Sequence, residues 1–170
     1  VFLAPTGIAA CNIKGRTIHS FCKLLPGLQT EDTIEAITNP RLQALLEAVD
    51  TIVIDEISMV RSDILWAVDN RLRAAASGRK QNRPFGGKQI IACGDFYQLP
   101  PVVTTDVERD YLKETFGGNF AFQTDIWKKA KFKTAMLKEQ HRQSDKSAFY
   151  QILKNIRHGR LCEKNILLPG

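Results

Sequence analysis

No stretch of this sequence approaches the roughly 20 consecutive apolar residues that cross a bilayer, and the opening Val1 to Leu3 runs straight into Pro5 and Gly7 instead of a secretory leader. The four cysteines, Cys11, Cys22, Cys93 and Cys162, contain no Cys-x-x-Cys pair. His19 lies near Cys22, but no second cluster supplies the remaining ligands of a structural zinc site. Cys93, within an apolar run, reads as packing. The expectation is therefore a monomer without a membrane partner in a reducing, intracellular compartment: the cytoplasm of a bacterium, or the nucleus or mitochondrion of a eukaryote. Repeats and low-complexity tracts are absent as well.

Acidic residues are missing between Arg71 and Lys88, a stretch that holds Arg71, Arg73, Arg79, Lys80, Arg83 and Lys88. It contributes to a net charge of +6 and reads either as a solvated loop or as a surface for a phosphate-rich partner. A glycine-rich phosphate loop ending in Gly-Lys-Ser or Gly-Lys-Thr is also lacking. Gly86-Gly87-Lys88 precedes an apolar run rather than following one, and has neither the upstream glycine nor the hydroxyl residue. It reads as a surface turn. What remains is ordinary: 170 residues, 44% apolar and 25% charged, enough for one domain with a sizeable core.

Within that frame the string Thr51 to Met59, TIVIDEISM, stands out. Ile52, Val53 and Ile54 read as a strand buried on both faces. Open α/β sheets bind ligands at the carboxyl ends of their strands, where Asp55 and Glu56 fall. In a nucleotide-hydrolysing site Asp55 would hold the Mg²⁺ shell and Glu56 would orient or deprotonate the attacking water; the competing reading is a strand that ends in a solvated acidic turn. Gln89 to Cys93 is a second apolar run. It leads through Gly94 into Asp95, Phe96, Tyr97 and Gln98, stiffened by Pro100 and Pro101. Asp95 and Gln98 thus sit on a rigid strand-end loop suited to sensing a phosphate or a bound water.

Strands alternate with helices along the rest of the chain, the pattern of an α/β sheet. Val1 to Ala4 reads as the end of a strand, Gly7 to Ile13 as a short helix, and Arg41 to Ala48 as a helix opened by Pro40. Ser62 is expected to cap a helix whose apolar face is Ile64, Leu65, Val68 and Leu72, with Asp63 in its first turn. Ser77 and Gly78 end it and open a polar loop. Thr104 to Asp125 reads as a loop with short helical turns. Phe132, Thr134 and Met136 alternate like a strand, and Ser144 or Asp145 would cap a last helix closed by Gly159. Trp66 and Trp127 read as packing anchors.

Near the start, Pro5, Thr6 and Gly7 can present amides and a hydroxyl to a phosphate. Thr17, His19 and Ser20 can do the same, with Phe21 to stack on a base. Each has a structural alternative: Thr6 as a helix cap, His19 bonded to a buried carbonyl, Phe21 in the core.

APTGIAA, TIHSF, VIDEISMV, GDFYQLPPV and LKEQHRQSD, in this order, resemble the superfamily-one DNA helicases, and among them the petite-integration-frequency family, related to the RecD subunit type. The resemblance covers Val1 to about Gly159. It implies an α/β, RecA-like P-loop NTPase domain with a mostly parallel sheet flanked by helices, truncated at its amino-terminal side. Residues 1–160 would form part of a first motor domain, and 161–170 a tail or the start of a linker to a second motor domain. The implied activity is ATP-dependent 5′-to-3′ unwinding of DNA, with ATP and Mg²⁺ as cofactors and single-stranded DNA and single/double-strand junctions as partners. Roles in repair, recombination and genome or telomere maintenance follow from the same likeness. The resemblance places Pro5-Thr6-Gly7 and Thr17-Ile18-His19 on the DNA track. It makes Gln98 the sensor coupling the γ-phosphate to DNA grip, and puts Arg142 at the seam between motor domains, reaching the γ-phosphate. A guanidinium fork suits that charge, although Arg142 can also pair with Glu139 or Asp145. Two other classes stay in view: a non-catalytic single-stranded nucleic-acid-binding module, and the helicase part of a conjugative relaxase-type protein. A phosphohydrolase unrelated to DNA, or a purely structural domain, fits the combined strings poorly.

Overall fold

Phe2–Ala4 (β1), Arg16–Thr17 (β2), Thr51–Ile54 (β3) and Gln89–Ala92 (β4) form one sheet in the order β2-β1-β3-β4, with every pairing parallel. The computed structural model describes residues 1–34 and 39–137, with Ile152, Asn155, Ile156 and Gly159. It divides into a unit of residues 1–132, which holds the sheet, and a second of residues 133–170. Leu3 pairs with Ile54, and Ile54 with Ala92, so alternate residues of neighbouring strands share a face. On one face Leu3, Ile52 and Ile54 are fully buried.

That face is covered chiefly by Ser62–Ala75 (α4), whose Ile64, Leu65, Val68 and Leu72 recur at helical spacing and join the same core. Gly7–Asn12 (α1), Ile18–Cys22 (α2) and Pro40–Ala48 (α3) follow the strands as the α/β alternation requires, α3 opening on an Asn39 cap and Pro40. The opposite sheet face carries Phe2, Val53 and Ile91, with Phe2 53% and Ile91 42% exposed. The expected burial of β3 on both faces therefore holds for one face only.

Several further expectations change. Ser62 is the first helical residue, not the cap; its hydroxyl donates to Gly118 O at 2.7 Å. The segment read as a loop with short helical turns, Thr104 to Asp125, contains the eleven-residue helix Asp106–Phe116 (α5), and Asp125–Ala130 (α6) starts at its end. Residues 132–137 form no strand among the described residues, and Met136 is exposed. Cys93 lies just past β4 and is exposed, because it continues the exposed face of Ile91. The last helix expected from Ser144 or Asp145 lies largely outside the described residues. Trp66 and Trp127 do pack against the core, Trp66 on Phe116 and Trp127 on Phe132. No described helix is long and apolar enough to cross a membrane.

The Gly86-Gly87 turn is a surface turn only in part, with Gly87 exposed and Gly86 buried. Phe85, Gly86 and Gly87 have φ of 53°, 62° and 73°, three successive left-handed residues. The buried Asp69 on α4 accepts the Phe85 N–H at 2.6 Å, and Phe85 itself is buried. Burial pushes the Asp69 carboxyl above its usual range, opposed by that amide and by Arg73. A Cβ on Gly86 would sit 2.5 Å from Leu72 O. Gly78, also left-handed at φ 58°, has open space instead. Both Gly→Ala changes meet the left-handed penalty of about 1–2 kcal/mol, but only Gly86→Ala adds an overpacking cost of about 1–3 kcal/mol. Urea unfolding is expected to show a clearly larger midpoint loss for Gly86→Ala; equal losses would mean the close approach to α4 has no energetic weight.

Candidate functional site

Parallel pairing brings the residues that follow all four strands to one carboxyl edge. On the β3–β4 half the ladder continues past the strands: Cys93 N–H donates to Ile54 O at 2.8 Å and Ile57 N–H to Cys93 O at 2.9 Å. Gly94, at φ 155°, slides beneath Ile57, where a Cβ would lie 2.9 Å from the Ile57 nitrogen. The loop carrying Asp95 and Gln98 is thereby held beside Asp55 and Glu56. Asp55 N–H donates to Leu3 O at 2.9 Å, and its Oδ1 accepts the Glu56 N–H at 3.0 Å. Glu56 is left-handed, at φ 51° and ψ 47°, a conformation that costs a side-chain-bearing residue about 1–2 kcal/mol. It turns the chain abruptly into a 3-10 turn at Ile57–Met59, whose Ile57 and Ser58 are buried. Both acids are half-buried, and neither pairs with a described Lys or Arg.

Asp95 folds its loop into an Asx turn, accepting the Tyr97 N–H at 3.1 Å. Gln98 is exposed and tied to the same residue, Nε2 to Oδ2 at 3.4 Å and N–H to the Asp95 carbonyl at 2.9 Å. Phe96 anchors the loop edge-on against Phe122, with ring centroids 4.9 Å apart, and against Phe120 and Trp127.

On the β2–β1 half, Ala4 pairs with Thr17, so Pro5 to Gly7 and His19 to Ser20 emerge side by side. Thr6 Oγ1 accepts the Ala9 N–H and caps α1; Thr17 Oγ1 accepts the Ser20 N–H and caps α2, each at 3.2 Å. A capping hydroxyl is used as an acceptor and keeps its own O–H to donate, so capping and phosphate contact are compatible. Ser20 is exposed and accepts from Arg16 at 3.3 Å. Phe21 is a correction: at 1% exposure its ring belongs to the core and cannot stack on a base. Ile18, Phe21 and Cys22 form the buried stripe of α2.

Pro5, Thr6 and His19 line a cleft of about 360 Å³ whose other walls include Arg61, Thr104 and Glu108, none of them expected from the sequence. Arg61 makes a two-pronged contact with the fully buried Asp63, Nε to Oδ1 at 2.8 Å and Nη2 to Oδ2 at 2.7 Å. It also donates to Gly27 O at 2.9 Å and lies 3.5 Å from Glu108. Asp63 accepts the Gln29 N–H at 2.8 Å, and Glu108 accepts from Thr104 and Thr105 at the start of α5. The Thr104 contacts, with Arg61 nearby, hold the Glu108 carboxyl below the usual range. One arginine thus fastens three separate segments around the cleft. A larger hollow of about 800 Å³, between Trp66, Phe116 and Lys129, holds no candidate residue. Arg142 lies outside the described residues.

A family model described as PIF1-like helicase matches residues 1–166. This chain belongs to the PIF1-like helicase family. The ATP-dependent DNA helicase PIF1 of Candida albicans is 41% identical over 159 residues, covering 92% of this chain and 17% of that protein. The helicase of the same name from Danio rerio is 39% identical over 162 residues, covering 95% of this chain and 23% of its relative. The chain spans about a fifth of the length of these relatives. Among solved structures, Bacteroides Pif1 helicase in complex with ADP-AlF3 and single-stranded DNA superposes with a TM-score of 0.86 at 36% identity, covering 98% of this chain and 38% of that one. Its motor domain and this sheet share the RecA-like α/β fold that the helicase strings implied.

Two outcomes follow from the cleft. Arg61→Ala strands a buried carboxylate, a change expected to cost about 3–5 kcal/mol in urea unfolding; a loss below about 1 kcal/mol would mean the pair is solvated. Burial holds the His19 imidazole below its ordinary range, against the pull of Asp63. With the folded value below the unfolded one, stability is flat above about pH 6.5 and declines as pH falls, because the unfolded chain binds the proton first. His19→Gln should flatten the difference in urea midpoint between pH 7.5 and pH 5.5.

Proposed function

We propose that this chain is part of the first motor domain of an ATP-dependent 5′-to-3′ DNA helicase, lacking the phosphate loop, and that ATP-side and DNA-side residues divide its carboxyl edge between them. The division itself carries the reading: Asp55, Glu56, Asp95 and Gln98 follow β3 and β4, whereas Pro5, Thr6, Gly7, Thr17, His19 and Ser20 follow or close β1 and β2. Repair, recombination and genome maintenance are the processes such a motor serves.

Asp55 and Glu56 suit a Mg²⁺–nucleotide. Among the described residues no three ligating side chains converge, so a cation at Asp55 would take its remaining ligands from phosphates and water, the usual habit of Mg²⁺. When bound, that ion supplies charge neutralisation at the β- and γ-phosphates. Glu56 orients the attacking water and accepts its proton. Gln98, tethered to Asp95, registers whether the γ-phosphate is present, and Arg142 stabilises its developing charge from the seam with a second motor domain. Asp55 is bonded to Leu3, one residue ahead of Ala4 and the Pro5 turn. A movement at the acid pair therefore has a one-ladder path to the DNA-side loops.

In the full-length protein with both motor domains, Glu56→Gln is expected to lower ATPase kcat by about 10²–10⁴ while ATP still binds; near wild-type kcat would remove Glu56 from catalysis. The 170-residue chain alone is expected not to turn over ATP, since its sequence holds no glycine-rich phosphate loop to cradle the triphosphate. It should bind oligo(dT) weakly and in a salt-dependent way. Thr6→Ala with His19→Ala should weaken that binding several-fold in fluorescence anisotropy, and an unchanged affinity would withdraw the DNA-side assignment.

A further inference from the structure

The opposite, amino edge of the sheet holds a cationic cluster that the carboxyl-edge site does not use. Gly78–Asn82 and Pro84–Gly87 form consecutive 3-10 turns between α4 and β4. They carry Arg79, Lys80 and Arg83, with Lys88 directly before β4. The segment 79–88 contains no acid. The side chains of Lys80 and Arg83 converge: around the position a Cβ on Gly87 would take, Arg83 Cδ lies at 3.4 Å and Lys80 Cγ at 3.7 Å. Arg79, Lys80 and Arg83 are exposed, and none pairs with a described carboxylate. Of the nearby acids, Asp69 is engaged with Phe85 and Arg73 and Glu47 with Ser77, while the exposed Asp50 acts on Lys88, not on these three cations, by its charge. Lys88 donates to the carbonyls of Glu47 and Val49 at 3.1 and 2.7 Å, and burial, reinforced by Lys80, holds its ammonium below the usual range.

The turn that follows the cluster is held in place. Asp69 grips Phe85, Gly86 is wedged against Leu72, and Lys88 is pinned to the end of α3. Three exposed cations within five residues call for closely spaced negative charge. Single strands are held by cations interleaved with aromatic platforms, but the only ring in this segment, Phe85, is buried. Duplex DNA, with one negative charge per about 1.7 Å of axis and no need of stacking, meets the requirement.

We propose that Arg79, Lys80 and Arg83, on the turns that precede β4 at the amino edge, form a sequence-independent binding surface for the duplex DNA backbone. It is separate from the single-strand loops by the length of the strands, about 13 Å for four residues. This surface uses no carboxyl-edge residue and does not rest on the helicase reading.

The test is fluorescence anisotropy of the 170-residue chain with a blunt hairpin duplex and with oligo(dT), each across a salt series. Arg79→Ala/Lys80→Ala/Arg83→Ala is expected to weaken duplex binding about tenfold or more at low salt and to reduce the salt slope by about 2–3. Oligo(dT) affinity should stay within about twofold, while Arg79→Lys/Arg83→Lys retains duplex binding. Thr6→Ala/His19→Ala should leave the duplex signal intact, so the two surfaces fail separately. Unchanged duplex affinity in the triple alanine variant would overturn the proposal. So would equal losses on duplex and oligo(dT), or tighter binding of a polyglutamate probe than of the duplex, which would assign the cluster to an acidic protein partner.

Discussion

The all-parallel ladder is the constraint on which everything else depends. Antiparallel pairing would scatter the strand-end loops over two edges; parallel pairing through β2-β1-β3-β4 sends all of them to one. The order then decides neighbours. Because β3 lies between β1 and β4, the Asp55-Glu56 turn has the Pro5-Thr6-Gly7 loop on one side and the Gly94–Gln98 loop on the other. No contact between distant side chains is needed to assemble the edge. The backbone hydrogen bonds of Asp55 to Leu3 and of Ile57 to Cys93 suffice.

Two kinds of local departure sharpen that arrangement. Glu56 takes a left-handed conformation that a glutamate adopts only when its surroundings overrule its preference. Those surroundings are identifiable: the Asp55 carboxylate caps its amide, and the next residues, Ile57 and Ser58, are sunk in the core. Gly94 answers it from β4, because only a residue without Cβ can pass beneath the Ile57 nitrogen. Strain on one strand end and a missing side chain on its neighbour are two halves of one device. They set the Asp95–Gln98 loop against the acid pair.

Most of the sheet and its acid pair were legible because β-branched runs bounded by turn residues admit few alternatives. What was not legible has specific causes. The helix α5 hides in a polar stretch where Leu112 is its one buried residue, so apolar periodicity is silent. Its signature was in the ends, a Thr105–Glu108 capping box and Gly117 after the last turn. Phe21 follows His19 and Ser20, which read as phosphate contacts, and so reads as available to a base; the i, i+3, i+4 spacing of Ile18, Phe21 and Cys22 puts it in the core. Phe132 to Met136 alternate like a strand, but alternation alone supplies no ladder partner. Arg61 joins segments as far apart as Gly27 and Glu108, which no local pattern reveals.

Arg61 also shows why the positive charge of this chain cannot be read as one diffuse property. Along the carboxyl edge its guanidinium is consumed by Asp63, Gly27 and Glu108. Burial keeps His19 in the same cleft toward its neutral form. That wall therefore presents mainly hydroxyls, amides and an imidazole biased to its neutral form, with no free guanidinium from Arg61. Arg71 is buried and donates to Lys23 O, and Arg73 is spent on Asp69 and Gln81. Once these structural cations are removed from the basic stretch, Arg79, Lys80 and Arg83 are what it leaves for a polyanion.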